Sequence, residues 1–241
     1  MKLEEMTRPQ VEKYLKKNNR IIISLGAIEQ HGVGLPLGTD YFIAEALANK
    51  VAEDLNIISA PTIRPGLSLC PHMAFSGTIS ASVESLSDLL EEYVGSLYQH
   101  GFRKFIILSG HGGNNGILLN SSQEFTVKYD DAEFLYLQDW WKLLPDKYRK
   151  NFSSHGHADS EEASMLAAVR EDLVDWEACK KNTKKMKPPT VLISLKNIKK
   201  KLTKTGSING SQHEVNKDIG KEMFNFIVKL YTKRITKAWS K

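Results

Sequence analysis

Short runs of β-branched and aliphatic residues recur along the chain, and segments with helical spacing separate them. Residues 20–26 and 104–109 are nearly unbroken apolar runs that end at or just before a glycine, which is typical of strands buried on both faces. Shorter runs at 57–60 and 134–137 predict two more strands. Because strands that alternate with helices are joined by parallel crossovers, the pattern predicts an α/β fold with a mostly parallel central sheet and helices on both faces.

Helices are predicted where apolar residues recur at intervals of three and four. The segment 82–97 has the clearest repeat, and Glu84 lies in its first turn, where the helix dipole favours a carboxylate. Residues 139–156 are rich in aromatic side chains but lack such a repeat, so they are predicted to be irregular. The same reasoning predicts the remaining helices over residues 39–51, 115–128, 161–170 and 211–237.

The composition is that of a folded domain. The chain has 241 residues, of which 41% are hydrophobic and 25% charged, so it is long enough to bury a core, and a single domain over 1–241 is predicted. The formal net charge of +5 comes from one segment, because residues 180–204 contain ten lysines and no acidic residue. That lysine-rich segment is predicted to be a solvated excursion within the domain, around a short strand at 190–195.

Several classes of protein are excluded at this stage. The longest apolar run, at 21–28, is interrupted and far shorter than the roughly 20 residues that cross a bilayer, so no membrane span is expected. The first 19 residues lack the apolar core of an export signal, which predicts a cytoplasmic location. With only Cys70 and Cys179, the chain forms neither a disulfide framework nor an all-cysteine zinc site. Any metal must therefore be held by histidine and carboxylate side chains.

Candidate metal ligands follow two of the predicted strands, at the sheet edge where open parallel sheets bind their ligands. Glu29, His31 and Asp40 follow the first strand, and His111 follows the strand at 104–109. In extended backbone, the side chains of Glu29 and His31 project to the same side because they are two residues apart. Two carboxylates and two imidazoles suit Zn, Mn or Fe(II) better than calcium. Together these four residues predict a metal site, whereas either histidine alone would be interpreted as structural, in a polar loop or a glycine turn.

A third polar cluster lies between residues 155 and 162. Glu162 falls in the first turn of a predicted helix, from where its carboxylate can face a bound cation. His157 is a candidate proton carrier, because an imidazole accepts and donates protons near neutral pH. The alternative for this cluster is a surface loop whose acidic residues stabilise the start of a helix. His72 has two interpretations: it lines the pocket, or it forms a hydrogen bond to the turn at 77–78.

The order and spacing of several motifs resemble the creatininase (creatinine amidohydrolase) family. The resemblance extends from about residue 20 to residue 220, and it implies a three-layer α/β sandwich with a binuclear metal centre. Members of this family often form homohexamers, and they hydrolyse C–N bonds of cyclic or linear amides. The motifs are Glu-Gln-His-Gly at 29–32, Leu-Pro-Leu at 35–37, Thr-Asp at 39–40, Phe-Ser-Gly-Thr-Ile-Ser at 75–80 following His72, His-Gly-Phe-Arg at 100–103, Gly-His-Gly-Gly-Asn at 110–114 and Gly-Ser-Ile-Asn-Gly at 206–210.

The resemblance also implies ligands for two divalent metal ions, which would be Zn, Mn or Fe. Glu29, Asp40 and His111 would hold one ion. His31 and Asp40 would hold the other, so that Asp40 bridges the pair.

Further roles follow from the same resemblance, together with three departures from the family pattern. His157 matches the histidine assigned to proton transfer. Creatininase itself has a metal-binding carboxylate where this chain has Gly113, so the second ion lacks a donor; Glu162 either replaces it or orients a metal-bound water. The segment after His157 reads Ala-Asp-Ser in place of Ala-Gly-Glu. No tryptophan lies directly upstream of His157. Creatinine is therefore not the expected substrate, and a different small-molecule amide is.

Two other functions fit parts of the sequence. A dinuclear deformylase or phosphoester hydrolase would use the same ligands, although no arginine cluster for a phosphate lies near the motifs. A nucleic-acid-binding protein would use the lysine-rich segment 180–204, but this segment has no aromatic residue on which bases would stack. Nucleic acid is therefore not expected as a partner.

Overall fold

The computed structural model describes residues 1–183 and 206–239, and its centre is a sheet of four parallel strands in the order β2-β1-β3-β4. The predicted strands and their parallel arrangement are thereby confirmed. The predicted strand at 190–195 lies outside the described residues. The strands are β1 (Arg20–Leu25), β2 (Ile58–Ser59), β3 (Lys104–Ser109) and β4 (Glu133–Leu137).

Helices surround this sheet, and the structure has more of them than the sequence predicted. The first and the seventh helix were not predicted, and the fifth is a single turn inside the stretch predicted to be irregular. Within the described ranges, no helix is long and apolar enough to cross a membrane. The helices are α1 (Arg8–Leu15), α2 (Thr39–Asp54), α3 (Val83–Gln99), α4 (Asn115–Lys128), α5 (Asp146–Arg149), α6 (Ser160–Arg170), α7 (Trp176–Lys181) and α8 (Lys217–Trp239).

Successive residues of the central strands pack against opposite sides of the sheet. Ile22 and Ile106 belong to a core that they share with α2, α6 and α8. Ile23 and Ile107 belong to a second core, which they share with α3 and α4. All four side chains are fully buried. Because both faces of β1 and β3 are covered, the central positions of these strands favour apolar side chains, and the predicted three-layer arrangement is confirmed.

The start of the C-terminal helix differs from the prediction. A helix was predicted from residue 211, whereas α8 begins at Lys217. Asn216 ends the preceding loop, and its Oδ1 accepts hydrogen bonds from the backbone N–H groups of Asp218 and Ile219. Upstream, the buried Gln212 donates from Nε2 to the backbone oxygen of His31 at 2.7 Å. Residues 211–216 are therefore a loop held by polar contacts that hydrophobic spacing does not reveal.

The loops after β1 and β3 meet at the carboxyl edge of the sheet. Leu25 pairs with Ser109 at the ends of the two strands, and the N–H of Gly110 donates to the oxygen of Leu25 at 2.8 Å. A Cβ atom at Gly110 would lie 2.3 Å from the backbone oxygen of Asp40. The absence of a side chain at Gly110 thus allows the first turn of α2 to approach β3, and this brings Asp40 to the end of the strand.

Candidate metal centre

The four residues that the sequence singled out as metal ligands meet at this edge. Nε2 of His31 lies 3.0 Å from Oδ1 of Asp40, and Nδ1 of His111 lies 3.0 Å from Oδ2 of the same carboxylate. The same nitrogen of His111 is 3.4 Å from Oε1 of Glu29. None of the four residues is more than 7% exposed. Asp40 therefore lies between the two imidazoles, with one carboxylate oxygen directed at each.

Backbone carbonyls orient both imidazoles. Nδ1 of His31 donates to the backbone oxygen of Glu29 at 3.1 Å. Nε2 of His111 donates to the backbone oxygen of Leu67 at 3.0 Å. The remaining ring nitrogen of each histidine faces the carboxylate of Asp40. Metal-ligating histidines commonly have this arrangement, in which the outer N–H donates to a carbonyl and the inner nitrogen faces the ion.

Three carboxylate oxygens of the site are buried without a well-formed hydrogen bond, and their polar neighbours are imidazole nitrogens at 3.0–3.7 Å. They are both side-chain oxygens of Glu29 and Oδ2 of Asp40. A buried polar atom left unsatisfied costs roughly 1–3 kcal/mol, and more when the group is charged. A divalent cation between these oxygens and the two imidazoles would supply the missing interactions. The donor set of carboxylate oxygens and imidazole nitrogens fits Zn, Mn or Fe.

In the absence of metal, the pKa values of the candidate ligands follow from their burial and from their proximity to one another. Burial raises the pKa of Glu29 to about 7, and the neighbouring carboxylate of Asp40 adds to the effect. Burial alone would lower the pKa of His31 and of His111, but Asp40 outweighs it and raises these pKa values to about 10 and about 9. Without metal, protons on the imidazoles balance the carboxylate charge. Metal binding must displace those protons, so it depends on pH.

Glu162 lies at the edge of this cluster, in the first turn of α6. Its Oε2 is 3.8 Å from Nε2 of His31 and accepts a hydrogen bond from the backbone N–H of Ala158 at 2.6 Å. Asp159 caps the helix, since its Oδ1 accepts from the N–H of Glu162 at 3.0 Å. Donor atoms of His31, His157 and Glu162 all lie within 4.8 Å of one another. The start of α6 therefore places the Glu162 carboxylate next to the imidazole of His31.

His157 lies against the same cluster and is held by Gln30. Its Nδ1 is 3.4 Å from Oε1 of Glu29. Its Nε2 lies 2.8 Å from the backbone oxygen of Gln30 and 2.8 Å from the side-chain Nε2 of Gln30. Burial and the adjacent His31 lower the pKa of His157, so the imidazole is neutral. Gln30 therefore suits either tautomer of His157. Its backbone oxygen accepts a hydrogen bond when Nε2 of His157 is protonated, and its side-chain amide donates one when that nitrogen is not.

The structure places His72 in the pocket. Its Nδ1 is 3.7 Å from Oε2 of Glu29, and its ring centroid is 4.5 Å from that of His157. Among the described residues, the polar side-chain neighbour of Nδ1 other than Glu29 is Nε2 of Gln30 at 3.5 Å, and no hydrogen bond joins the ring to the turn at 77–78. His72 thus lies on the cavity wall, where it can contact a bound ligand.

A cavity of about 400 Å³ opens over these residues, which is a volume suited to a small molecule. Sequence analysis missed parts of this site. Gln30 stands inside the Glu-Gln-His-Gly motif, so its position between two candidate ligands was an available signal. Arg149 lies in the segment without periodicity, where the sequence gave no indication of a role. Further side chains that line the cavity are Trp140, Trp141, Arg149, His155, Asp159 and Glu161.

Gly113 lies in close contact with one of the candidate ligands. A Cβ atom there would lie 2.2 Å from the backbone oxygen of Leu67 and 2.5 Å from Nε2 of His111. Those two atoms form the hydrogen bond that orients the His111 ring. The position where the family resemblance predicted a carboxylate therefore has no room for a side chain in this backbone.

Comparison with known proteins assigns the family. The family described as "Creatininase: Creatinine amidohydrolase" matches residues 4–235. The chain therefore belongs to the creatininase family. A solved structure named "Creatininase Mn" superposes with a TM-score of 0.88 and 18% identity, over 100% of this chain and 99% of that one, which shows the shared fold.

Two relatives of established name are similar over parts of the chain. The 3-dehydro-scyllo-inosose hydrolase of Thermotoga maritima is 27% identical over 180 residues, which cover 72% of this chain and 58% of that protein. The mycofactocin precursor peptide peptidase of Mycobacterium tuberculosis is 45% identical over 108 residues, or 41% of this chain and 42% of that protein. The chain thus spans about half the length of these relatives. Both relatives are named as enzymes of hydrolysis.

Proposed function

We propose that this chain is a metal-dependent amidohydrolase that cleaves a C–N amide bond at a centre of two divalent ions. One observation carries the proposal. Carboxylate oxygens of Glu29 and Asp40 are buried without a well-formed hydrogen bond, and they lie next to two imidazoles. The family and the names of the two relatives support hydrolysis. Under this proposal the substrate is a small-molecule amide bound in the adjoining cavity.

The geometry supports two ion positions that share Asp40. Oδ1 of Asp40 faces His31, and Oδ2 faces His111, so the carboxylate is suited to bridge. Glu29 would complete the position beside His111, and Glu162 the position beside His31. When bound, two such ions lower the pKa of a water molecule toward neutrality and polarise the carbonyl of the substrate.

His157 would move the proton that the reaction requires. Its Nδ1 faces the Glu29 carboxylate, and a neutral imidazole is ready to accept a proton there. After water attacks the amide, the same nitrogen would return that proton to the leaving amine, which is otherwise a poor leaving group. Gln30 keeps the ring in place throughout, because Nε2 of His157 can donate to its carbonyl.

A substrate panel tests the proposed reaction. The purified chain, reconstituted with Zn, Mn or Fe(II), is assayed against lactams, formamides and ureido compounds, with phosphoesters in parallel. We expect hydrolysis of at least one amide class and its loss in Asp40→Asn, which keeps the size of the side chain. Formamides are included because a deformylase would use the same centre. Hydrolysis of phosphoesters alone would replace the proposal with the phosphoester alternative.

Family membership also supports a homohexamer as the assembled form. Light scattering of the purified protein should give a mass six times that of one chain. A monomeric mass at micromolar concentration would remove this part of the proposal.

A further inference from the structure

Arg149 places a permanent positive charge on the wall of the candidate active-site cavity. It is the last residue of α5, and it is the only lysine or arginine among the described residues that line the cavity. Its side chain is 38% exposed and forms part of the cavity wall. Trp140 and Trp141 also line this cavity and provide apolar surface. A ligand here therefore meets one cation as well as the metal-binding cluster.

A buried glutamate positions Arg149. Nε of Arg149 lies 3.5 Å from Oε1 of Glu161, whose side chain is only 4% exposed. Nδ1 of His155 lies 2.8 Å from the same oxygen. Glu161 directly precedes Glu162, so Arg149 contacts the residue next to a proposed metal ligand. Arg149 and Glu162 line the same cavity, which one small substrate can occupy.

The contact with Glu161 is made by the buried Nε of Arg149. The exposed part of the side chain therefore consists of its other atoms. A guanidinium presents its N–H groups in a planar fork that matches a carboxylate in two parallel hydrogen bonds. The single cation next to Glu161 suits a monoanion better than a phosphate dianion.

We propose that Arg149 determines specificity by binding a carboxylate on the substrate, so that the substrate is an amide that also carries a carboxylate group. Glu161 is then a positioning residue that orients the guanidinium. This inference rests on the proposed function for the identity of the scissile bond. It does not require turnover for its test, because recognition of the carboxylate is measurable as binding.

Calorimetric titration of the zinc-loaded protein with two probes tests the inference. N-acetylglycine carries the carboxylate, and N-acetylglycinamide is its neutral counterpart. The wild-type protein should bind N-acetylglycine more tightly, and Arg149→Gln should reduce that preference about tenfold to hundredfold, as expected for a charge-assisted pair. Lys147→Gln is the matched control, because it removes a positive charge from the same helix at an exposed position outside the cavity lining. Arg149→Lys should keep part of the preference.

Each alternative outcome is distinct. If Arg149→Gln keeps the full preference, the carboxylate binds elsewhere, such as at the metal ions, and the inference is wrong. If Arg149→Gln weakens both probes equally and lowers the melting temperature, Arg149 is structural and the inference is again wrong. A preference that depends on Arg149 in a protein that hydrolyses no amide would support the inference and contradict the proposed function alone.

Discussion

At the scale of single residues, Asp40 connects the parts of the candidate centre. Each of its oxygens faces a different imidazole, and the outer nitrogen of each imidazole is fixed by a backbone carbonyl. The sequence could predict Asp40, Glu29, His31 and His111 as candidates, because these residue types follow buried strands. It could not predict Arg149, since that side chain reaches the cavity through tertiary packing and not through local spacing.

His157 is the residue whose role kinetics can separate from metal binding. We expect His157→Ala to retain bound metal while kcat falls about 10²- to 10⁴-fold, because general acid–base catalysis contributes that much. The measurement is kcat with metal content on the same sample. His100→Ala, an exposed histidine in the α3–β3 connection, is the control and should keep full activity. Full activity in His157→Ala would exclude the proposed proton transfer.

Gly113 provides a second test, because its packing supports His111. We expect Gly113→Ala to lower the free energy of unfolding by about 1–3 kcal/mol, the typical cost of overpacking, and to weaken metal binding. Thermal denaturation and metal titration measure both effects. At Gly116 a Cβ atom would meet nothing within 4 Å, so Gly116→Ala should leave stability equal or higher. Equal behaviour of the two variants would contradict the contact with His111.

At the scale of elements, the strands and the longer helices were predictable, whereas the loops that complete the site were not. β1 and β3 are covered on both faces, so their central residues form apolar runs that the sequence reveals. The C-terminal helix was predicted six residues too early, because the loop at 211–216 is fixed by side-chain hydrogen bonds. Apolar spacing carries no information on such bonds.

The start of α6 is an element whose cap matters for the site. Asp159→Ala removes the cap and should cost about 1–2 kcal/mol of stability. It should also weaken metal binding at the position beside Glu162, because the first turn of α6 loosens. Asp175 caps α7 in the same way, through the N–H of Ala178, but does not line the cavity. Asp175→Ala should therefore destabilise the fold without changing metal affinity. If Asp159→Ala binds metal as tightly as the wild-type protein, the cap does not position Glu162.

At the scale of the whole molecule, the candidate metal centre lies between the loops that follow β1 and β3. Glu29 and His31 follow β1, and His111 follows β3, so a bound ion joins loops that are distant in sequence. The chain buries carboxylates there at a cost that only a partner of opposite charge offsets. Metal binding should therefore be coupled to the stability of the entire fold.

Thermal unfolding measures this coupling. Saturating Zn or Mn should raise the melting temperature of chelator-treated protein, since an ion present at 100 times its Kd adds about 2.7 kcal/mol of stability. Glu29→Gln should reduce this metal-dependent increase. The substitution removes the charged carboxylate donor and replaces it with an amide of nearly the same shape. An increase of the same size in the variant would show that the ions bind elsewhere.

The most direct test is the metal content of the purified protein after reconstitution and desalting, determined by inductively coupled plasma mass spectrometry. We expect two equivalents of divalent metal per wild-type chain and a loss of both in Asp40→Asn, because Asp40 faces both imidazoles. Wild-type protein that retains no divalent metal, or an Asp40→Asn variant that retains as much as wild type, would contradict the account.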